Sequence, residues 1–155
     1  MIALAPLPRG RVGEVLHLEL APDQRDFVHP IAEMVREDTA GVAFHIIRAG
    51  AVAVGFFKTD RFYAERHPFA RPGEPGLRSM LIGAQYQGCG HGKAAMAVLP
   101  AYLRKALPGA RSAVLTVNLR NGAARHVYLA GGWEDTGTLH AGGNSGPQTV
   151  LRLAL

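Results

Sequence analysis

The chain has 155 residues, 48% of them hydrophobic and 19% charged, with a net charge of +5. That balance predicts one globular domain over residues 1–155 and excludes a disordered chain. No apolar run approaches the roughly 20 residues that cross a bilayer, residues 1–13 lack a signal-peptide core, and the single cysteine excludes a disulfide framework, so a cytoplasmic protein with no membrane partner is expected.

Residues 14–20 alternate weakly and predict a first strand, stopped by Pro22. Asp23 is placed to cap a short helical piece over 23–28, and Pro30 to start a second helix with Ile31, Met34 and Val35 on one face. Residues 42–48 and 51–58 predict a hairpin joined at Ala49-Gly50. The stretch 58–76 carries three prolines and two glycines after Arg66 and predicts a long loop, either a surface excursion or a cover over a site. A fourth strand over 77–82 leads into a glycine-rich turn and then a helix over 93–106, bent by Pro100. A central strand is predicted over 112–117. Asn121 caps a further helix that ends at Gly131-Gly132, and strands over 133–139 and 148–155 close the chain around a Gly-rich turn, 142–146. The order is strand, helices, three strands, helix, strand, helix, two strands. That predicts a mixed α/β (α+β) domain around one sheet.

The turn before the 93–106 helix reads Gln87-Gly88-Cys89-Gly90-His91-Gly92-Lys93. Glycines at alternate positions let backbone approach a ligand closely, and the N–H groups of a helix start suit a phosphate. Gly90-His91-Gly92-Lys93-Ala94-Ala95 also fits a dinucleotide fingerprint. That reading needs an acid about 20 residues on to hold a ribose hydroxyl, and no Asp or Glu lies between Glu74 and Glu134. A nucleoside-triphosphate loop needs Gly-Lys-Ser/Thr to hold magnesium, and here Ala94 follows Lys93. Histidines and Cys89 show no metal-ligand spacing, so no metal is expected. The basic residues are scattered, which argues against a nucleic-acid partner.

Gln87-x-x-Gly90-x-Gly92 matches the Q/R-x-x-G-x-G/A loop of the GNAT superfamily of acetyl-CoA-dependent acyltransferases. A second stretch, Asn121-Gly122-Ala123-Ala124-Arg125-His126-Val127-Tyr128 followed by Gly132-Trp133, resembles the superfamily's N-x-A-A-x-x-x-Y…G-F pattern, with Trp133 in place of Phe. The resemblance implies a sheet of about seven strands with flanking helices, splayed between the fourth and fifth strands. It implies acetyl-CoA as cosubstrate, with the backbone of Met80, Leu81 and Ile82 beside the pantetheine arm. Gln87, Gly88, Cys89, Gly90, His91, Gly92 and Lys93 would cradle the pyrophosphate. Asn121 would hydrogen-bond the arm, and Tyr128 would act as general acid at the thioester sulfur. A phenol stays protonated at neutral pH and can donate to a departing thiolate.

The general base stays open among Glu74, His45 and a water relayed by Ser79 or backbone carbonyls. Cys89 lies at the phosphate end, far from the thioester, and reads as a loop residue and not a nucleophile. Within the superfamily the chain most resembles bacterial diamine and spermidine/spermine acetyltransferases. That likeness rests on Gln24-x-x-Phe27-Val28 with Pro30, on Leu77-x-x-Met80-x-Ile82, and on the stretch from Tyr86 to Ala95. Glu33, Glu37 and Asp38 would then line an acceptor groove or form a solvated helix face, and the positive net charge argues mildly against a polycation. A small-molecule amine is the expected acceptor. A protein or peptide amine and a non-catalytic acyl-CoA-binding module are the alternatives. A homodimer is expected, the C-terminal strand with its apolar Val150, Leu151, Leu153 and Leu155 having surface to share or an edge to protect.

Overall fold

The computed structural model describes residues 1–142 and 145–155. Its first strand, β1 (Ile2–Pro6), lies ahead of the one expected over 14–20. Residues Arg9–Glu14 form a 3-10 turn, and 15–20 form no strand. Val15 and Leu18 are both buried at a spacing of three, which is the period of turns and helices, not the alternation of a strand. Asp23 does not cap a helix. Pro22–Gln24 is a single 3-10 turn in which the Gln24 carboxamide accepts the Ala21 N–H at 2.7 Å. Pro30 does precede a helix, the short α1 (Ile31–Met34), which buries Ile31 and Met34.

The hairpin forms as expected from β2 (Val42–Ala49) and β3 (Val52–Asp60), turning at Gly50, whose φ of 61° favours glycine. The segment after it is more ordered than the loop expected over 58–76. It holds α2 (Tyr63–Arg66) and returns into β4 (Gly76–Ile82). The helix α3 (His91–Ala106) continues through Pro100. There follow β5 (Ser112–Asn118), α4 (Gly122–Ala130), β6 (Glu134–His140) and β7 (Gln148–Ala154). Part of the Gly-rich turn expected over 142–146 lies outside the described residues.

The seven strands make one sheet in the order β1-β2-β3-β4-β5-β7-β6. Strand alternation gives it two apolar faces. On β2, Ile47 joins the core beneath α3 with Leu99 and Leu103, while Phe44 and Ile46 face Ile31, Met34, Val15 and Leu18. The C-terminal strand has neither an edge to protect nor Val150, Leu151 and Leu153 as surface to share. β7 is paired on both sides, with β5 and β6, and Val150, Leu151 and Leu153 are buried in the core.

β4 and β5 run parallel and pair at one position, Gly76 opposite Val114, with the Val114 N–H donating to the Pro75 carbonyl at 3.0 Å. Beyond that point they splay. The closed end is fastened by Glu74, whose side chain is 1% exposed. It accepts from Arg152 Nε and a terminal guanidinium nitrogen at 2.7 and 2.9 Å, from the Ser112 hydroxyl, and from the Arg71 N–H. Burial pushes this carboxyl toward neutrality, but Arg152 and Ser112 outweigh it and hold its pKa below the usual value. Gly76 packs beneath the Tyr63 ring, where an added Cβ would lie 2.2 Å from a ring carbon.

Removing the cation should therefore leave a buried carboxylate without its main partner. Arg152→Met is expected to lower the unfolding free energy by about 3–5 kcal/mol in urea titration. A loss within about 0.5 kcal/mol would mean that Ser112 and the Arg71 N–H suffice.

Candidate active site

The wedge between β4 and β5 holds two cavities that share a wall. One, of about 420 Å³, runs from the end of β4 to the start of α3; the other, of about 460 Å³, lies toward Tyr63, the C-terminal half of β5 and Gln148. Phe27, Val28, Met80, Asn121, Ala124 and Tyr128 line both. Their sizes suit small ligands.

The first cavity gathers nearly all the cofactor residues expected from the sequence. Met80, Leu81 and Ile82 come from β4. Gln87, Gly88, Gly90, His91, Gly92 and Lys93 come from the turn, and Asn121 faces them from the far side. Cys89 is the exception; it is exposed and off the wall. Gly88 and Gly90 have φ of 79° and 81°, so both need the left-handed conformation, and Gly90 caps α3. The first-turn N–H groups of α3 thus open into the cavity with the positive end of a helix of 16 residues. The turn is braced from below, since the Gln87 and Gln24 carboxamides both donate to the Ile82 carbonyl, at 3.0 and 3.3 Å. That carbonyl is therefore already engaged.

A bulge interrupts β4 in mid-strand. Phe56 pairs with Leu81 and Lys58 with Arg78, so Ser79 and Met80 together face the single residue Phe57. Ser79 takes a φ of 57°, the one positive φ outside glycine among the described residues. The bulge frees the backbone of Ser79 and Met80 from the ladder where the two cavities meet.

Asn121 and Tyr128 are placed by α4. The Asn121 carboxamide oxygen accepts the Ala124 N–H at 3.4 Å and so caps the helix, and the residue lines both cavities. Tyr128 lies further along α4, edge-on to Trp133 at 5.9 Å. Trp133 is buried, so the residue that replaces the usual Phe forms the floor behind the tyrosine. Burial alone pushes the Tyr128 phenol well above its ordinary value, which keeps it a proton donor at neutral pH.

The base candidates fare differently. His45 does not reach the cleft. It is buried beneath α3, bonded to the Tyr102 hydroxyl at 2.6 Å and to Thr59 at 2.8 Å, and stacked on Phe57 at 4.6 Å. Glu74 is committed at the closed end of the wedge. Ser79 does line the second cavity. Nor do Glu33, Glu37 and Asp38 form an acceptor groove; none lines either cavity. Glu37 is bound by Lys58 at 2.6 Å and Arg78 at 3.1 Å. Although burial opposes ionisation, these partners hold its pKa down at about 2.

The sequence reading missed most of the second cavity. Arg78, Thr116, Asn118 and Gln148 line it, and Tyr63 reaches it from α2. Alternation on β4 and β5 was the available signal, but it could not say which strand faces open space. Among the described residues no group of His, Cys, Asp and Glu could hold a metal ion, and no helix is long and apolar enough to cross a membrane.

Burial lowers the His45 pKa to about 4. The folded state then binds fewer protons than the unfolded chain between about pH 6.5 and 4, so His45 should cost stability as pH falls through that window. Its ring resonances in an NMR titration should stay neutral down to about pH 4. A midpoint near 6.5 would show the ring open to water.

A family model described as acetyltransferase (GNAT) family matches residues 4–132. Among curated proteins, the uncharacterized N-acetyltransferase YbbJ of Bacillus subtilis (strain 168) is 29% identical over 118 residues, 76% of this chain; the match spans 66% of that relative's length. Among solved structures, the aminoglycoside acetyltransferase AAC(6')-Ib with coenzyme A bound superposes with a TM-score of 0.77 at 16% identity, covering 99% of this chain and 95% of that one. A spermidine N-acetyltransferase, SpeG of Vibrio cholerae, gives 0.70 at 15% identity, covering 99% and 93%. At such identities these likenesses show the shared fold.

Proposed function

The chain belongs to the acetyltransferase (GNAT) family, and from that premise we propose that it transfers the acetyl group of acetyl-CoA to a primary amine on a small molecule. One observation carries the reading: two cavities, one on the glycine turn and one beyond it, meet at a wall that includes Tyr128. In this reading acetyl-CoA lies in the cavity of about 420 Å³, its pyrophosphate on the N–H groups from Gln87 to Lys93. The arm follows the backbone of Met80 and Leu81 and the NH₂ of Asn121. The thioester then sits at the shared wall, beside the bulge.

The amine enters from the second cavity. Its nitrogen lone pair attacks the thioester carbonyl carbon, the C–S bond breaks, and the thiolate takes a proton from the Tyr128 hydroxyl. The phenolate is reprotonated from solvent. The amine's proton leaves through water on the acceptor side, where Glu74 and His45 do not reach and where the exposed Asp26 and His29 share that water. Backbone N–H groups of the bulge would supply donors to the developing oxyanion in this reading.

A volume of about 460 Å³ supports a small acceptor. A peptide amine is the second reading. It is favoured by one observation, that segment 58–76 contributes only Tyr63 to the wall and so does not cover the opening. That the Tyr128 hydroxyl, among the described residues, is tied up by no side-chain partner counts against a non-catalytic acyl-CoA-binding module. The reading also takes residues 1–155 as one domain and places the protein in the cytoplasm, where Cys89 stays a thiol. Finally it takes the protein as a homodimer. With β7 paired on both sides, the edges left for a partner are β1 and β6, the latter carrying Leu139, 62% exposed.

Tyr128→Phe removes the donor and keeps the ring on Trp133. It is expected to lower kcat by about 10²–10⁴-fold with little change in acetyl-CoA affinity. An unchanged kcat would remove Tyr128 from the chemistry. Light scattering at micromolar protein is expected to give twice the mass of 16.5 kDa, and a monomer mass would contradict the dimer.

A further inference from the structure

We propose that the acceptor amine also bears an anionic group, a carboxylate in the first instance, and that Arg78 is the residue that reads it. This deepens the acetyltransferase reading and rests on it. Three cationic and acidic side chains meet beside β4: Lys58, Arg78 and Glu37. One carboxylate therefore serves two cations. Lys58 is the more enclosed, with its side chain 4% exposed, and it takes Glu37 at the shorter distance, 2.6 Å. Arg78 holds the same carboxylate through a single terminal nitrogen at 3.1 Å, and its side chain is 32% exposed. Of the two cations, Arg78 lines the cavity of about 460 Å³ and Lys58 does not. The uncompensated positive charge of the trio is thus delivered to the acceptor side of Tyr128.

The rest of that wall carries no enclosed carboxylate to offset it among the described residues. Arg25 lines it as a second cation. Among the described residues the only carboxylate on it is Asp26, whose side chain is 63% exposed and lies 3.5 Å from Arg120. A polycation such as a polyamine would enter against this field and find no enclosed carboxylate to bind. An anionic amine finds a planar guanidinium with donors to spare, the geometry that takes a carboxylate through two parallel N–H bonds. Fixing the anion on β4 would hold the amine at a set reach across the cavity, toward the thioester end of the wall.

The test measures thiol release from acetyl-CoA with matched acceptors. Each set holds a free amino acid, its carboxamide, and the amine left when the carboxylate is removed. Phosphoethanolamine is the phosphate-bearing arm, and spermidine is the polycation. The free acids are expected to exceed their carboxamides by about 10- to 100-fold in kcat/KM, with spermidine the poorest. Phosphoethanolamine above the free acids would assign the anion as phosphate and leave the class intact. Arg78→Gln should erase the acid-over-carboxamide ratio in kcat/KM, chiefly by raising KM for the free acids, and Arg78→Lys should keep part of it. Because Arg78 also binds Glu37, acetyl-CoA titration checks that Arg78→Gln remains folded, and the ratio in the parent chain stands as a test without any variant. Equal rates for acid and carboxamide, or spermidine as the best substrate, overturn the inference and leave the acetyltransferase reading in place. Thiol release with none of the panel overturns it too. Calorimetry then decides the underlying reading, since acetyl-CoA binding retains the cofactor site and its absence removes it.

Discussion

Two parallel strands held together at one position govern the whole arrangement. Had β4 and β5 paired along their length, the sheet would be continuous and the space now lined by Met80, Asn121 and Tyr128 would be filled by ladder. Gly76 opposite Val114 begins the pairing, and nothing extends it. The Glu74–Arg152 bridge, tied to Ser112 on β5, fixes the closed end so that the open end can diverge without the strands parting. Arg152 sits on β7, so the fastening recruits a third strand and gains stiffness from it. A buried bridge is weak evidence of net stability but strong evidence of a fixed relative position.

From that divergence the site assembles with little further help. The glycine turn brings a helix start to one side of the wedge, and Asn121 brings another to the opposite side. The two helices belong to different strand–helix units, so the cleft lies at the carboxyl ends of strands that no longer touch. Ligand crevices in open sheets form where neighbouring strands turn to separate connections. The β4 bulge then decides which backbone groups face the gap.

How much of this was legible depended on how local the cause was. The glycine turn and the Asn121 cap are written in short, contiguous stretches whose conformation their own residues impose, and both were readable. The hairpin at Gly50 was readable for the same reason. β1 was not, because a strand of five residues containing Pro6 is a strand only by virtue of β2 lying beside it. The fates of His45 and Glu74 were hidden likewise. A histidine on a strand reads the same whether it points at a cleft or beneath a helix, and Tyr102, which engages it, is 57 residues away. The Glu74 partner Arg152 is 78 residues away. Arg78 was hidden because neither its place on the cavity wall nor the sharing of Glu37 between two cations can be read from the residues around it.

The bulge has a consequence for sequence variation. With φ at 57°, Ser79 occupies a conformation that glycine, asparagine and aspartate tolerate and that β-branched side chains resist. Valine or isoleucine would suit the flanking strand by propensity, yet at this one position they would drive the backbone back into register and close the gap. Natural drift along β4 is therefore narrowed at a residue with neither charge nor bulk to mark it. A library randomised there would sort by backbone tolerance before any effect on chemistry could be read.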